Sequence, residues 1–114
     1  KDTCSAFIAV AKSKNTFGEV LNSASNFEIS IGETVKLISE LMNISIEVES
    51  EVERMRPINS EVNRLYGSNQ KILSVTDWEP EFKGINGFKK GLKATIEWFT
   101  DPNNLALYKS EYTV

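Results

Sequence analysis

The chain has 114 residues, 40% of them hydrophobic and 25% charged, a balance that suits one folded domain and excludes wholesale disorder. A formal net charge of −3 disfavours nucleic acid, whose binding draws on lysines and arginines gathered on one face. With no histidine and a single cysteine, Cys4, an internal disulfide, a zinc cluster and histidine acid–base chemistry within these residues are excluded.

No stretch approaches the roughly 20 apolar residues that span a bilayer, and no signal-peptide pattern opens the chain, so the expected setting is cytoplasmic, away from any membrane. Asp2 and Thr3 cap a predicted helix reaching about Ser13, in which Cys4, Phe7, Ile8 and Ala11 form one apolar stripe. That stripe favours a buried, inert thiol at Cys4 over a nucleophile. After Gly18, "EVLNSAS" reads as a short strand ended by the polar run from Ser23 to Asn26. In "SIGETVKLISELM", Ser30 and Glu33 fit a capping box, and Ile31, Val35, Ile38, Leu41 and Met42 form the face expected to be buried.

Ile44, Ile46 and Val48 then alternate with Ser45, Glu47 and Glu49, the period of a strand with one buried face. Strand, helix and strand together suggest a small βαβ unit. The carboxylates at Glu47, Glu49, Glu51 and Glu53 resemble a calcium site less than the wet face of an edge strand. Pro57 pushes Arg56 toward extended backbone, and "VNRLYG" reads as one more strand. Ser68 caps a predicted helix over residues 70–75, with Trp78 and Pro80 marking its exit. Phe88, Leu92, Ile96 and Phe99 recur at helical spacing up to Asp101-Pro102, and a short helix followed by a fraying tail is expected beyond.

Gly84, Gly87 and Gly91 in "GINGFKKG" do not make a dinucleotide-binding turn, because a buried strand should precede it and "DWEPEFK" stands there instead. The arginines are more informative. All three lie within residues 54–64, as Arg54, Arg56 and Arg64, whereas the lysines are scattered from Lys1 to Lys109. A planar guanidinium presents paired donors that match phosphate or carboxylate. This concentration fits either recognition of an anion or internal ion pairs with Glu51, Glu53 or Glu61.

Six marks occur in one order: Asp2, the segment "EVLNSAS", the Arg56-Pro57 loop, Lys71, the "DWEPEF" turn and "GLKATIEWF". Over roughly residues 1–99 they resemble the C-terminal third of NAD-dependent nucleotide-sugar epimerases and dehydratases of the extended short-chain dehydrogenase/reductase superfamily. The form "RPINSEVNRLYGSNQK" is most similar to N-acetylglucosamine nucleotide 4,6-dehydratases that make legionaminic-type sugars. Where the family often has N-I-G-x-G, this chain has Asn22-Ser23-Ala24-Ser25-Asn26.

The resemblance implies an α/β fold, with a small sheet and several helices, that forms the substrate-binding subdomain of such an enzyme without its Rossmann half. Residues 1–100 would be the nucleotide-sugar domain and 101–114 a short helix and tail. By position, Arg56 would meet the pyrophosphate and Glu61 the ribose hydroxyls. Arg64 would add a positive contact or pair with Glu61. No catalytic, cofactor or metal residue is implied here. Neither Tyr66 nor Tyr108 is followed four residues on by the lysine of the family's Tyr-x-x-x-Lys pair, since Gln70 and Tyr112 stand there.

In the parent enzyme NAD, held by the Rossmann domain, would take a hydride from sugar C4, and the 4-keto intermediate would be re-reduced or lose water. The fragment alone is therefore expected to be inactive and to self-associate through the face meant for that Rossmann domain. The alternative from another class is a free-standing interaction module whose arginine loop grips an acidic partner.

Overall fold

A computed structural model describes residues 1–49 and 64–107. Among these, five α-helices occur in the order α1 (Asp2–Lys12), α2 (Ile31–Met42), α3 (Gln70–Val75), α4 (Gly84–Thr100) and α5 (Pro102–Leu105), with one 3-10 turn at Lys14–Thr16. No strand occurs among the described residues. The expected α/β fold with a small sheet is therefore replaced by a helical one.

The expected strands fail for a common reason. Residues 19–25, 44–48 and 64–67 carry no regular structure, and in residues 44–48 the alternating apolar side chains stay wet: Ile44, Ile46 and Val48 are all exposed. Alternation encodes an extended backbone with one apolar face, but a strand also needs a neighbour that takes its N–H and C=O groups. No described segment supplies that ladder. The expected strand over residues 62–67 begins outside the described residues.

The small core joins α1 to α3 and the turn after it. Ala6, Ile72 and Trp78 are buried together, with Ala9, Val10 and Leu21 packed against them. Side chains of α1 add directed bonds. The Asp2 carboxylate accepts from the backbone N–H groups of Glu81 (3.1 Å) and Phe82 (3.0 Å). Trp78 Nε1 donates to Ser5 Oγ at 2.9 Å, and Ser13 Oγ donates to the Val75 carbonyl at 2.6 Å. Residues 2, 5, 6, 9 and 13 share one face of the helix.

That face overrules the predicted stripe. Cys4, Phe7, Ile8 and Ala11 are all exposed, with Phe7 at 74%, so the thiol is not buried. The physical reason is tertiary. The rotation of α1 is set by Asp2, Ser5 and Ser13, and small Ala6 lets the Trp78 indole lie close.

The helix ends follow local rules. Ser30 Oγ accepts from the Glu33 N–H at 3.1 Å while Glu33 Oε2 accepts from the Ser30 N–H at 3.0 Å, completing the capping box that starts α2. Asn43 closes α2 in the left-handed conformation (φ 51°, ψ 46°), and the Ile44 N–H reaches back to the Ser39 carbonyl at 3.1 Å. On the predicted face, Val35 and Ile38 are half-buried while Ile31 is exposed, and Leu37 is the buried residue of α2. Asn69, not Ser68, occupies the N-cap of α3, although Ser68 Oγ accepts weakly from the Gln70 N–H at 3.4 Å.

Helix α4 explains the glycines. A Cβ on Gly87 would lie 2.3 Å from the carbonyl carbon of Phe82, and the same group on Gly91 would meet the Phe82 ring at 3.5 Å. The glycines thus seat Phe82, whose ring also lies 5.4 Å from Lys90 Nζ. Asp101 caps α5 by accepting from the Asn103 N–H at 2.9 Å, and Asn104 Nδ2 returns to the Trp98 carbonyl at 3.2 Å. Between α2 and α4 an apolar cleft of about 190 Å³ is lined by Ile38, Met42, Leu92, Ile96 and Phe99, among others.

Much apolar surface remains uncovered. Phe17, Val20, Ile31, Leu65 and Leu107 are each more than 80% exposed. The radius of gyration, 17.7 Å, exceeds the roughly 13 Å of a compact domain this long.

Candidate functional site

Residues 24–28 and 64–69 run side by side, joined by side chains instead of a backbone ladder. Arg64 donates through Nη2 to Glu28 Oε1 at 2.5 Å and through Nε to Glu28 Oε2 at 3.2 Å. The Tyr66 hydroxyl donates to Asn26 Oδ1 at 2.8 Å. Asn69 Nδ2, in a buried side chain, donates to the Ala24 carbonyl at 2.9 Å.

Partner numbers fall on one segment as they rise on the other, which is an antiparallel register. Glu28 and Asn26 thus meet Arg64 and Tyr66 as two successive side-chain pairs. Two local features permit the approach. Asn26 adopts positive φ (56°), a conformation asparagine tolerates better than most residues. Gly67 leaves room for Ala24, whose Cβ would stand 2.7 Å from a Cβ at position 67.

Electrostatically, the hydrogen bonds that Arg64 donates to Glu28, and secondly the charge of Glu28, raise the Arg64 pKa above its ordinary value. The guanidinium stays cationic at any physiological pH. Its side chain is 76% exposed, so the atoms that Glu28 does not hold face water. Phe27, next to Glu28, packs against Phe88 of α4 with ring centroids 6.0 Å apart, which ties these pairs to the longest helix.

Of the residues expected to contact substrate, Arg64 is described and pairs with Glu28. Arg56 and Glu61 lie outside the described residues, as do Arg54, Glu51 and Glu53. Lys71, a mark of the family resemblance, forms an ion pair with Glu19 at 2.6 Å, and that hydrogen bond holds the Glu19 carboxyl below its usual value. Asp2, another such mark, holds the turn at Glu81 and Phe82, where Lys90 pairs with Glu81 at 2.5 Å and lowers its pKa. Among the described residues no group of acidic and cysteine side chains is arranged to hold a metal ion. Nor is any helix among them long and apolar enough to cross a membrane.

Sequence reasoning did not find Glu28. It lies 36 residues before Arg64, with α2 and the arginine window between them. The usable signal was the pairing of two spaced polar residues, Asn26 and Glu28, with two others at the same spacing, Arg64 and Tyr66. A second cleft, of about 760 Å³, opens between α1 and residues 73–79. Several of its polar groups are already engaged, as Ser5 holds Trp78 and Ser13 holds Val75.

The chain is 32% identical to human dTDP-D-glucose 4,6-dehydratase over 108 residues, covering 88% of this chain and 28% of that protein. It is 28% identical to GDP-6-deoxy-D-mannose reductase of Pseudomonas aeruginosa over 99 residues, covering 86% and 30% respectively. The Bos taurus dTDP-D-glucose 4,6-dehydratase is 30% identical over 105 residues, covering 88% and 27%. The chain thus spans less than a third of the length of each of these relatives. No family model matches it. No solved structure matches it either. By their names, these relatives are a nucleotide-sugar dehydratase from two mammals and a bacterial nucleotide-sugar reductase.

Proposed function

We propose that this chain is the nucleotide-sugar-binding portion of a longer NAD-dependent enzyme, a 4,6-dehydratase or 4-epimerase of the extended short-chain dehydrogenase/reductase kind. The observation that carries the reading is the likeness to a dTDP-D-glucose 4,6-dehydratase along 88% of the chain, in a sequence that gathers its three arginines within residues 54–64. A diphosphate is the part common to such substrates, and guanidinium is the side chain suited to holding it with paired hydrogen bonds. In this reading Arg56 takes the pyrophosphate, Glu61 the ribose hydroxyls and Arg64 a further phosphate oxygen. The run "RPINSEVNRLYGSNQK" favours an N-acetylglucosamine nucleotide of legionaminic-type synthesis as the substrate.

The contribution of these residues would be positioning rather than proton transfer. Gly87 and Gly91 are occupied with Phe82, and among the described residues no strand leads into α4 to aim its N-terminus at a pyrophosphate. The cofactor and the reacting groups would therefore come from the rest of the enzyme, a Rossmann domain. The chain by itself binds without converting. The exposed apolar surface, including Phe7 and Ile8 on α1, supports cover by that domain and self-association where it is missing.

Titration calorimetry of the chain with dTDP-glucose, GDP-mannose and UDP-N-acetylglucosamine tests the reading. At least one should bind saturably, more weakly as salt rises, and Arg56→Ala should lower its affinity about 10-fold or more. Absence of binding to all three contradicts it.

A further inference from the structure

We infer that Glu28 is a positioning residue that aims Arg64 at a phosphate, an inference that rests on the nucleotide-sugar reading. Glu28 grips the guanidinium from the side, taking Nε at 3.2 Å and Nη2 at 2.5 Å. Arginine has five N–H donors, so both Nη1 donors and the second Nη2 donor remain. They form a fork at the far end of a side chain that is 76% exposed. Two phosphate oxygens fit such a fork.

A carboxylate beside an anion site also repels the anion, and the geometry decides which effect is larger. The fork shares Nη2 with the edge that Glu28 holds, so a phosphate there lies within a Debye length of the carboxylate, but both groups face water, whose high dielectric keeps their repulsion small. Against that stands the freedom of an unheld arginine, one of the most rotamer-rich side chains, which a ligand would otherwise have to order by itself. The backbone beside Glu28 is anchored at Phe27, whose ring meets that of Phe88 of α4 at a tilt with centroids 6.0 Å apart. Asn26 adds the adjacent pair by accepting from the Tyr66 hydroxyl at 2.8 Å. The guanidinium thus has a carboxylate partner on the neighbouring segment before any ligand arrives.

The test is a double-mutant cycle of dTDP binding to the chain, by calorimetry, with Glu28→Ala, Arg64→Ala and both together. Glu28→Ala should weaken binding about 5-fold and Arg64→Ala about 10-fold. The double variant should bind no more weakly than Arg64→Ala, because Glu28 acts only through that side chain. A merely structural role would carry its cost into the Arg64→Ala background. Should Glu28→Ala fail to fold, as judged by circular dichroism, Glu28→Gln gives the same comparison with the side-chain shape kept. Unchanged or tighter binding by the Glu28 variant, or a loss that persists without Arg64, overturns this inference and leaves the nucleotide-sugar reading standing. Failure of the unmodified chain to bind any nucleoside diphosphate takes down both.

Discussion

Around α1, α3 and the turn that follows, Asp2, Ser5 and Ser13 make directed bonds across a core of Ala6, Ile72 and Trp78. Between α2, α4 and α5 the contact is apolar and half wet, with an open cleft beside Met42 and Phe99, and Trp98 and Phe99 meeting edge to face at 4.8 Å. The first region is specified by hydrogen-bond geometry, which fixes one rotation of α1. The second is specified mainly by hydrophobic pattern, with a bond from Asn104 Nδ2 to the Trp98 carbonyl joining α5 to α4, and much of its apolar face stays uncovered. Substitutions should therefore cost more, and depend more on detail, in the first.

The largest effect is expected at Trp78, which is 5% exposed. Trp78→Ala should lower unfolding stability by about 3–5 kcal/mol, read from urea denaturation. Next is Gly87→Ala, where a methyl would meet the Phe82 backbone at 2.3 Å, a group that cannot swing aside. A loss of about 1–3 kcal/mol is expected by the same measurement. Asp2→Ala should cost about 1–2 kcal/mol, because it leaves the Glu81 and Phe82 N–H groups without the acceptor that holds their turn. Equal losses at Asp2 and at half-buried Ile96 would erase the contrast between the two regions.

The smallest effect belongs to the capping box of α2. Ser30→Ala should cost about 1 kcal/mol in thermal melts at neutral pH. In the folded chain the Ser30 side chain, then its backbone N–H, hold the Glu33 carboxyl below its usual value. A depressed carboxylate pKa stabilises above the unfolded value of about 4.3 and loses that contribution as pH falls through the folded value. Below about pH 4.3 the gap between Ser30→Ala and the parent chain should narrow. A gap that widens on acidification would contradict the capping role.

What the sequence made legible was local. The start and end of α2, the limits of α3, and the helical spacing of Phe88, Leu92, Ile96 and Phe99 are written within a few residues of where they act. The stripe on α1 misled because two faces of that helix satisfy the same period, and the choice between them is made by Trp78 and the turn at Glu81, some 70 to 80 positions away. The strands misled because alternation describes one chain and pairing requires two. In the candidate site, Arg64 stood out by its residue type. Its partner Glu28 did not, because nothing near either residue announces a contact spanning α2. That Gly87 and Gly91 seat Phe82 was not legible either, because Phe82 lies in the turn before α4 and only the fold brings it against them.

The claim that the arginine window holds a diphosphate can be tested most directly by observing its guanidinium groups. The chain has three arginines, all within residues 54–64, so the arginine Nε–Hε region of a ¹⁵N-correlated NMR spectrum should hold three signals, assignable by single lysine substitutions. On titration with dTDP, the signals of Arg56 and Arg64 should shift saturably and together, with one dissociation constant. Three signals that stay unmoved while dTDP is in large excess would contradict the account.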